Sequence, residues 1–163
     1  MKKIYYISSI IFFVFFTLIS CEDDTEVCGE GTTPRLIIKF YNQATNEVSS
    51  QSGVISTTEF NNYSFSSQDS IQIPLSLKNE VDTLFYKTST NAVEIDTITF
   101  TFTRKEEYVS KGCGFRVDYT DVNAVLETTG KNIKKLEFNP NLIKTNHQID
   151  IVNEAEAHMF VYF

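Results

Sequence analysis

Apolar and polar residues alternate along most of the chain after Pro34, which is the pattern of strands with one buried face. In the first such stretch, Leu36, Ile38 and Phe40 fall on the same face. The alternation predicts strands over residues 35–41, 71–77, 81–87, 93–103, 115–119, 122–128, 133–138, 149–151 and 158–163, with a further candidate at 53–57. No stretch keeps a 3.6-residue period, so the pattern predicts an all-β protein of about eight to ten short strands.

Local signals add detail to this strand pattern. Pro74 cannot donate a ladder hydrogen bond, so its strand is predicted to lie at a sheet edge. Val93 and Ile95 have the opposite parity to Ile98, which predicts a bulge near residues 96–97 or two short strands.

Turn-forming and polar stretches predict the main connections. Residues 129–132 (Thr-Gly-Lys-Asn) lie between two strand patterns and predict a hairpin turn. Residues 47–65 are polar and rich in Ser and Asn, so most of this stretch is predicted to be a long loop.

The elements together predict a single domain over residues 34–163. Short strands separated by turns favour an antiparallel β-sandwich of the immunoglobulin-like or Greek-key type. A closed β-barrel is the alternative. The length of the chain suits one modest hydrophobic core.

The N-terminal segment has the features of an export signal. Lys2 and Lys3 precede a mainly apolar stretch over residues 4–19, and Ser20 is small, so residues 1–20 are predicted to be a signal peptide. Cys21 follows directly, and the pattern resembles the bacterial lipobox. The resemblance implies cleavage before Cys21 and a diacylglyceryl group on its sulfur. The alternative is a retained membrane-spanning helix, although residues 4–19 fall short of the about 20 apolar residues that spanning needs.

Residues 21–33 are acidic and contain glycine, and we predict that they tether the anchor to the domain. Glu22, Asp23 and Asp24 follow the anchor cysteine. One interpretation is a solvated acidic tether with no targeting role. The run also resembles the export signal of surface lipoproteins in Bacteroidota-type bacteria, which implies an outer-membrane lipoprotein exposed at the cell surface.

The charge balance excludes one class of partner. Removing residues 1–20 takes away two of the fourteen basic residues and none of the twenty-one acidic residues, which brings the formal charge from −7 to −9. A chain of this charge is repelled by phosphates and anionic head groups. We therefore expect no nucleic-acid partner.

Cys28 and Cys113 remain once the anchor cysteine is set aside. In an oxidising envelope compartment, two such thiols in a β-rich domain are expected to form a disulfide. Glycine flanks both cysteines and lets two backbones approach closely. A metal or redox pair is the alternative, but the sequence lacks the C-x-x-C spacing and the nearby histidines that such sites need.

Several motifs together resemble a known group of proteins. They are residues 28–40 (Cys-Gly-Glu-Gly-Thr-Thr-Pro-Arg-Leu-Ile-Ile-Lys-Phe), residues 112–115 (Gly-Cys-Gly-Phe) and the aromatic C-terminal strand after His158. With the Cys21 signal, they resemble a family of small uncharacterised lipoproteins of Bacteroidota-type bacteria. The family has no established activity, so the resemblance supports the fold, the cysteine pair and the compartment and implies nothing about catalysis.

Residues that could carry catalysis are few and scattered in the sequence. His147 and His158 are its two histidines, and they lack the spacing of a zinc site. No serine lies in a G-x-S-x-G motif, and no nucleophile–base pair is recognisable. We therefore predict no metal, no cofactor and no enzymatic activity.

An oxygen-rich cluster raises calcium binding as a further alternative. Asp118, Asp121 and Asn123 lie close in sequence, and Glu106 and Glu107 precede them. Calcium prefers such oxygen ligands, but the spacing of an EF-hand loop is absent. Acidic residues at strand ends are usually just solvated, so the sequence predicts no metal site here.

Three Asp-Ser/Thr-apolar tripeptides begin at Asp69, Asp82 and Asp96. They resemble the acceptor motif for O-glycans in Bacteroidota-type envelope proteins. The resemblance implies three candidate acceptors: Ser70, Thr83 and Thr97. A bulky glycan requires an exposed hydroxyl. The alternative is structural, because Asp followed by Thr and an aliphatic residue is also how a strand begins.

Aromatic residues leave one binding question open. Tyr63, Phe65, Tyr108 and Tyr119 could line a carbohydrate or peptide surface, or they could belong to the core, as aromatic residues of sandwiches usually do. The leading hypothesis is a membrane-tethered, non-catalytic binding or structural module with an envelope protein or glycan as partner. The second is an accessory subunit of an outer-membrane assembly that docks through the sheet edge at Pro74. An enzyme is the third.

Overall fold

The computed structural model describes residues 32–127 and 131–163. Across these residues the chain forms ten strands and no helix, which confirms the predicted all-β class. The same residues contain no candidate for a membrane-spanning helix. The strands are β1 (Leu36–Tyr41), β2 (Gln51–Ser56), β3 (Tyr63–Gln68), β4 (Ser70–Ile73), β5 (Val81–Lys87), β6 (Asp96–Ser110), β7 (Gly114–Leu126), β8 (Lys135–Phe138), β9 (Ile149–Ile151) and β10 (Met159–Tyr162).

The strands form two sheets that share one hydrophobic core. The first sheet has four strands in the order β4-β1-β10-β8, and the second has six in the order β3-β2-β5-β6-β7-β9. The predicted β-sandwich is confirmed. The described strands divide into two separate sheets, so the closed-barrel alternative is wrong.

The four-stranded sheet departs from a purely antiparallel arrangement. β1 and β10 run parallel, with Ile38 opposite Met159 and Phe40 opposite Val161. The other strand pairs of the described residues are antiparallel. The sheet is mixed because β1 and β10 are parallel, and a parallel pair needs a long connection, which here is the whole chain between the first and last strands.

The sequence alternation becomes burial in the structure. β1 and β5 both bury every second residue. Phe40 stacks on Phe65 with ring centroids 5.6 Å apart and meets the edge of Phe163 at 5.6 Å. Full burial of one large apolar side chain contributes about 1.5–3 kcal/mol relative to exposure. These facing side chains therefore hold the two sheets together.

Two strands lie where the sequence predicted a loop. β2 overlaps the candidate strand at 53–57 over residues 53–56 and begins two residues before it, while β3 was not predicted. Phe65 is the one buried residue of β3. The strand was hidden in the sequence because a two-residue period cannot be recognised from a single apolar position.

β7 and β8 do not form the hairpin that residues 129–132 predicted. β7 pairs with β6 and β9, whereas β8 pairs with β10 in the other sheet. The buried carboxylate of Asp96 holds this crossing, because it accepts the backbone N–H groups of Asn132 at 3.1 Å and Ile133 at 3.2 Å. Polar residues of this kind are found both in hairpin turns and in connections between two sheets, so the composition of residues 129–132 could not distinguish the two.

Two finer predictions have opposite outcomes. β4 is an edge strand that ends at Ile73, directly before Pro74, so the edge position is confirmed. The bulge predicted at residues 96–97 is wrong, because β6 begins at Asp96 and Val93, which is 93% exposed, precedes the strand. The register of β6 against β7 shifts further along, between Thr101 and Thr103 and again near the turn.

Candidate functional site

A polar cleft of about 790 Å³ lies where the two sheets expose neighbouring edges. β3 is an edge strand of the six-stranded sheet, β4 is an edge strand of the four-stranded sheet, and Asp69 alone separates them in sequence. The lining residues are Arg35, Ser50, Tyr63, Ser67, Gln68, Asp69, Ser70, Ile71 and Gln72. The cleft is therefore built where the chain passes from one sheet to the other.

A β-bulge shapes β3 beside this cleft. The register of β2 against β3 shifts between Gln51 and Gly53, which gives β3 one extra residue. Ser67 takes a positive φ of 51°, an uncommon conformation for a residue other than glycine. Its N–H donates to Ser52 Oγ at 3.0 Å. Bulges often lie beside binding sites, where they redirect a side chain, and strained backbone has the same tendency.

Arg35 lines the cleft and is held in an ion pair with Glu154, which is not among the lining residues. Its Nε donates to Glu154 Oε1 at 3.0 Å and its Nη2 donates to Oε2 at 2.8 Å. The hydrogen bond to Glu154 raises the pKa of Arg35, and the same bond lowers the pKa of Glu154. The Arg35 side chain is half-exposed. A bidentate pair fixes the guanidinium plane, so its position is set before a ligand arrives.

The lining combines several kinds of hydrogen-bonding group with one exposed aromatic ring. Hydroxyls, amides, a carboxylate and a guanidinium all lie in the cleft. The Tyr63 side chain belongs to the lining and is 48% exposed. This combination can bind a hydroxyl-rich ligand by hydrogen bonds and ring contacts. Among the lining residues that the structure describes there is no histidine or cysteine, so these residues form no recognisable nucleophile–base pair.

The two histidines are not among the residues that line the cleft. His147 is exposed, with a φ of 63°, in the turn before β9. His158 is 2% exposed, and its Nδ1 accepts the Ile37 N–H at 3.0 Å. His158 therefore stabilises the contact between β1 and the start of β10. In the described ranges, no three His, Cys, Asp or Glu side chains are placed to hold a metal ion.

The oxygen-rich cluster does not converge on one point. Asp118 is buried, and its Oδ1 lies 3.3 Å from Arg116 Nε. Asp121 pairs with Lys144 at 3.2 Å, and Asn123 is exposed. These carboxylates are neutralised by basic side chains rather than gathered around a cation site.

The predicted cysteine sites fall largely outside the described residues. Cys21, the predicted lipidation site, and Cys28 both lie there. Cys113 lies in the turn between β6 and β7, half-buried, and its backbone N–H donates to Ser110 Oγ at 3.1 Å. The Cys28–Cys113 disulfide therefore stays a prediction.

The candidate glycan acceptors differ in exposure. Ser70 lies in β4 and Thr83 in β5, and both are half-buried. The Ser70 hydroxyl donates to Asp69 Oδ1 at 3.0 Å beside the cleft. Thr97 is only 9% exposed. Exposure favours Ser70 and Thr83 over Thr97, and glycosylation itself stays a prediction.

Of the four aromatic residues that the sequence left open between a binding surface and the core, two are buried and two are exposed. Phe65 and Tyr119 belong to the core, whereas Tyr63 and Tyr108 are exposed by 48% and 55%. Of the cleft residues, the sequence singled out Tyr63 as a binding residue and Ser70 as an acceptor. Asp69 and Ile71 belong to the same tripeptide as Ser70, whereas no binding role was predicted for the remaining lining residues, and the fold brings them together.

Comparison with protein families adds one result. Residues 44–163 match the model of a family of unknown function, DUF6452. The chain belongs to this family. The DUF6452 region includes every lining residue of the cleft except Arg35. Comparisons with curated proteins and with solved structures returned no match. The predicted membership of a family without known function is confirmed, and the bacterial group and the lipid anchor stay predictions.

Proposed function

We propose that this DUF6452 protein is a lipid-anchored, non-catalytic binding module of the bacterial cell envelope, and that its polar cleft binds a glycan. The observation that carries the proposal is the cleft itself, which joins hydrogen-bonding side chains to an exposed tyrosine at the edges of two sheets. Sugar ligands need this pairing, because each sugar has hydroxyls around its rim and an apolar face.

Sequence features support the envelope location. A signal over residues 1–20, a lipobox-like Cys21 and the acidic run that follows suit an outer-membrane lipoprotein of Bacteroidota-type bacteria, exposed at the surface. The proposed Cys28–Cys113 disulfide fits the same oxidising compartment. We infer that the tether presents the sandwich to ligands outside the membrane.

Binding of envelope oligosaccharides tests the proposed ligand. The purified mature protein is immobilised and titrated with a panel of neutral and acidic oligosaccharides. We expect at least one to bind, and the Tyr63→Ala variant to bind it about five- to thirtyfold more weakly, since loss of a stacking ring removes about 1–2 kcal/mol.

Phe85→Ala is the matched control for this experiment. Phe85 is also an exposed aromatic residue, at 39%, but it lies on β5 and does not line the cleft. Its variant is expected to bind as the native chain does. Equal loss in both variants, or no binding by the native chain to any oligosaccharide, would contradict the glycan proposal.

The second candidate is an accessory subunit that pairs with another protein through the same edges. β3 exposes five of its six residues, and exposed edge strands can pair with an added strand. Crosslinking in intact cells, followed by pull-down from detergent-solubilised envelope, tests this candidate. A single protein captured by the native chain and lost when Ser66 is changed to Pro, which removes one β3 donor, would favour it over the glycan.

The anchor is tested separately from the ligand. Labelled palmitate should enter the native chain and disappear in Cys21→Ala, and proteinase added to intact cells should degrade a surface-exposed domain. Absence of label in the native chain would refute the lipid anchor, and full protection from proteinase would place the domain on the periplasmic side.

A further inference from the structure

β6 and β7 continue as a two-stranded ribbon that ends in an exposed aromatic pair. Tyr108 and Phe115 lie opposite each other in the register. Their rings meet edge to face with centroids 5.4 Å apart, and they are 55% and 70% exposed. Contiguous exposed apolar surface can mark a site of interaction with a partner or a membrane.

The aromatic pair continues the inward face of the ribbon. Alternate residues share a face of a strand, so Phe115 lies on the same face as Val117 and Tyr119. These two residues are 8% and 0% exposed. Tyr108 lies on the matching face of β6, where Glu106 is opposite Val117 and Arg104 is opposite Tyr119. The inward apolar face of β7 therefore runs on to the aromatic pair, whereas the β6 side of this face is charged until Tyr108.

The described chain begins beside this ribbon. The Val117 N–H donates to Thr33 Oγ1 at 2.9 Å, and Val117 is two residues from Phe115. Thr33 lies twelve positions after Cys21, which limits the reach of the connecting chain to about 40 Å. The tether therefore starts at the end of the molecule that carries the aromatic pair.

We propose that the Tyr108–Phe115 pair docks on the surface of the bilayer that holds the Cys21 anchor. The inference rests on the proposed lipid anchor. The Tyr108 ring has a polar tip, which favours the boundary between lipid head groups and acyl chains, and the Phe115 ring that packs on it is purely apolar. The acidic net charge of the chain gives no general attraction to anionic lipid. The contact is therefore an aromatic one, formed on zwitterionic lipid and directed by the short tether.

The absence of tryptophan from the sequence gives a direct test. The lipidated mature protein carrying Phe115→Trp is reconstituted into phosphatidylcholine vesicles that contain brominated acyl chains. We expect the emission of its single indole to shift to the blue and to be quenched by the bromine atoms, because the ring enters the head-group boundary.

Phe85→Trp is the matched control. Phe85 is exposed and pairs with Thr97, eleven residues from Tyr108 along β6, about 36 Å at the rise of an antiparallel strand. Its indole is expected to show at most half the quenching of the Phe115→Trp protein. Equal and low quenching of both variants, when both are acylated and bound to vesicles, would overturn the docking proposal alone.

Intact mass separates this failure from failure of the anchor. Variants that lack acyl mass and do not float with the vesicles would refute the lipid anchor, and the docking proposal that rests on it would fall as well. Strong quenching of both variants would mean that the protein lies on the membrane without a preferred end, which also contradicts docking through Tyr108 and Phe115.

Discussion

His158 is the titratable residue that the fold constrains most clearly. Its Nδ1 accepts the Ile37 N–H, and its Nε2 lies 3.0 Å from the Asn153 carbonyl oxygen, so the ring is neutral with its proton on Nε2. Burial lowers the pKa of His158, and the hydrogen bond to Asn153 together with Glu154 and Glu156 opposes that shift only in part. The folded chain therefore resists protonation here.

This arrangement predicts a pH-dependent stability. As pH falls below about 6.5, the unfolded chain binds a proton on this histidine, whereas the folded chain binds it only at lower pH. The free energy of unfolding should therefore fall between pH 7.5 and 5.5, and it should fall less in His158→Gln. The variant should also be about 1–3 kcal/mol less stable at pH 7.5, because it loses two partly buried hydrogen bonds.

Urea unfolding at both pH values measures these differences. His147→Asn is the control for the loss of an imidazole, because His147 is exposed and Asn tolerates its positive φ. A His158→Gln protein with native stability and native pH dependence would contradict the role assigned to this residue. The sequence did not reveal this role, because both hydrogen-bond partners of His158 are backbone groups. Ile37 is distant in the sequence, and Asn153 lies across the loop before β10.

Among the strands, sequence alternation predicted those with several inward apolar residues. β5, β9 and β10 were predicted near their observed positions because each has two or more buried apolar side chains on one face. β3 was missed because Phe65 is its single buried residue. The cleft beside β3 could not be predicted from the sequence either, because it forms only where the edge strands β3 and β4 of the two sheets come together.

The pairing of β2 with β5 gives a prediction for Gly53. A Cβ at this position would lie 2.5 Å from Tyr86 Cε2 and 2.7 Å from the Lys87 carbonyl oxygen. The backbone oxygen cannot move without disturbing the β2–β5 ladder, so Gly53→Ala should destabilise the protein by about 1–3 kcal/mol.

Gly114→Ala is the comparison for this substitution. Gly114 has open space around it and a φ of 72°, so its variant should lose about 1–2 kcal/mol through backbone strain alone. Thermal unfolding measures both. The near-ultraviolet circular dichroism of the tyrosines should change in Gly53→Ala and not in Gly114→Ala, and an unchanged spectrum in both would contradict the close contact with Tyr86.

The whole molecule depends on pairings between distant parts of the chain. β1 and β10 pair in parallel although they lie at opposite ends of the domain. The connection after β7 crosses from one sheet to the other. Strand periodicity predicts neither feature, because it specifies which face of a strand is buried and not which strand lies beside it. The sandwich class was predictable, and the strand order was not.

A covalent link between distant segments would stabilise such a topology. The proposed Cys28–Cys113 disulfide would close a loop of 85 residues, which in the chain-entropy model stabilises the folded state by about 4–5 kcal/mol. Reductant should therefore lower the free energy of unfolding by up to that amount, and Cys28→Ala together with Cys113→Ala should reproduce the loss.

The doubly substituted protein is its own control, because reductant should leave its stability unchanged. Urea unfolding with and without reductant measures the effect. Two thiols that react with an alkylating agent in the native protein, together with a stability that reductant does not alter, would contradict the disulfide.

We propose that the mature chain is an exported, lipid-anchored domain, and the intact mass of the protein isolated from its native membrane tests this proposal most directly. We expect a chain that begins at Cys21, carries a diacylglyceryl group and is two hydrogens lighter than its reduced form. A full-length, unacylated chain with all its thiols reduced would contradict it.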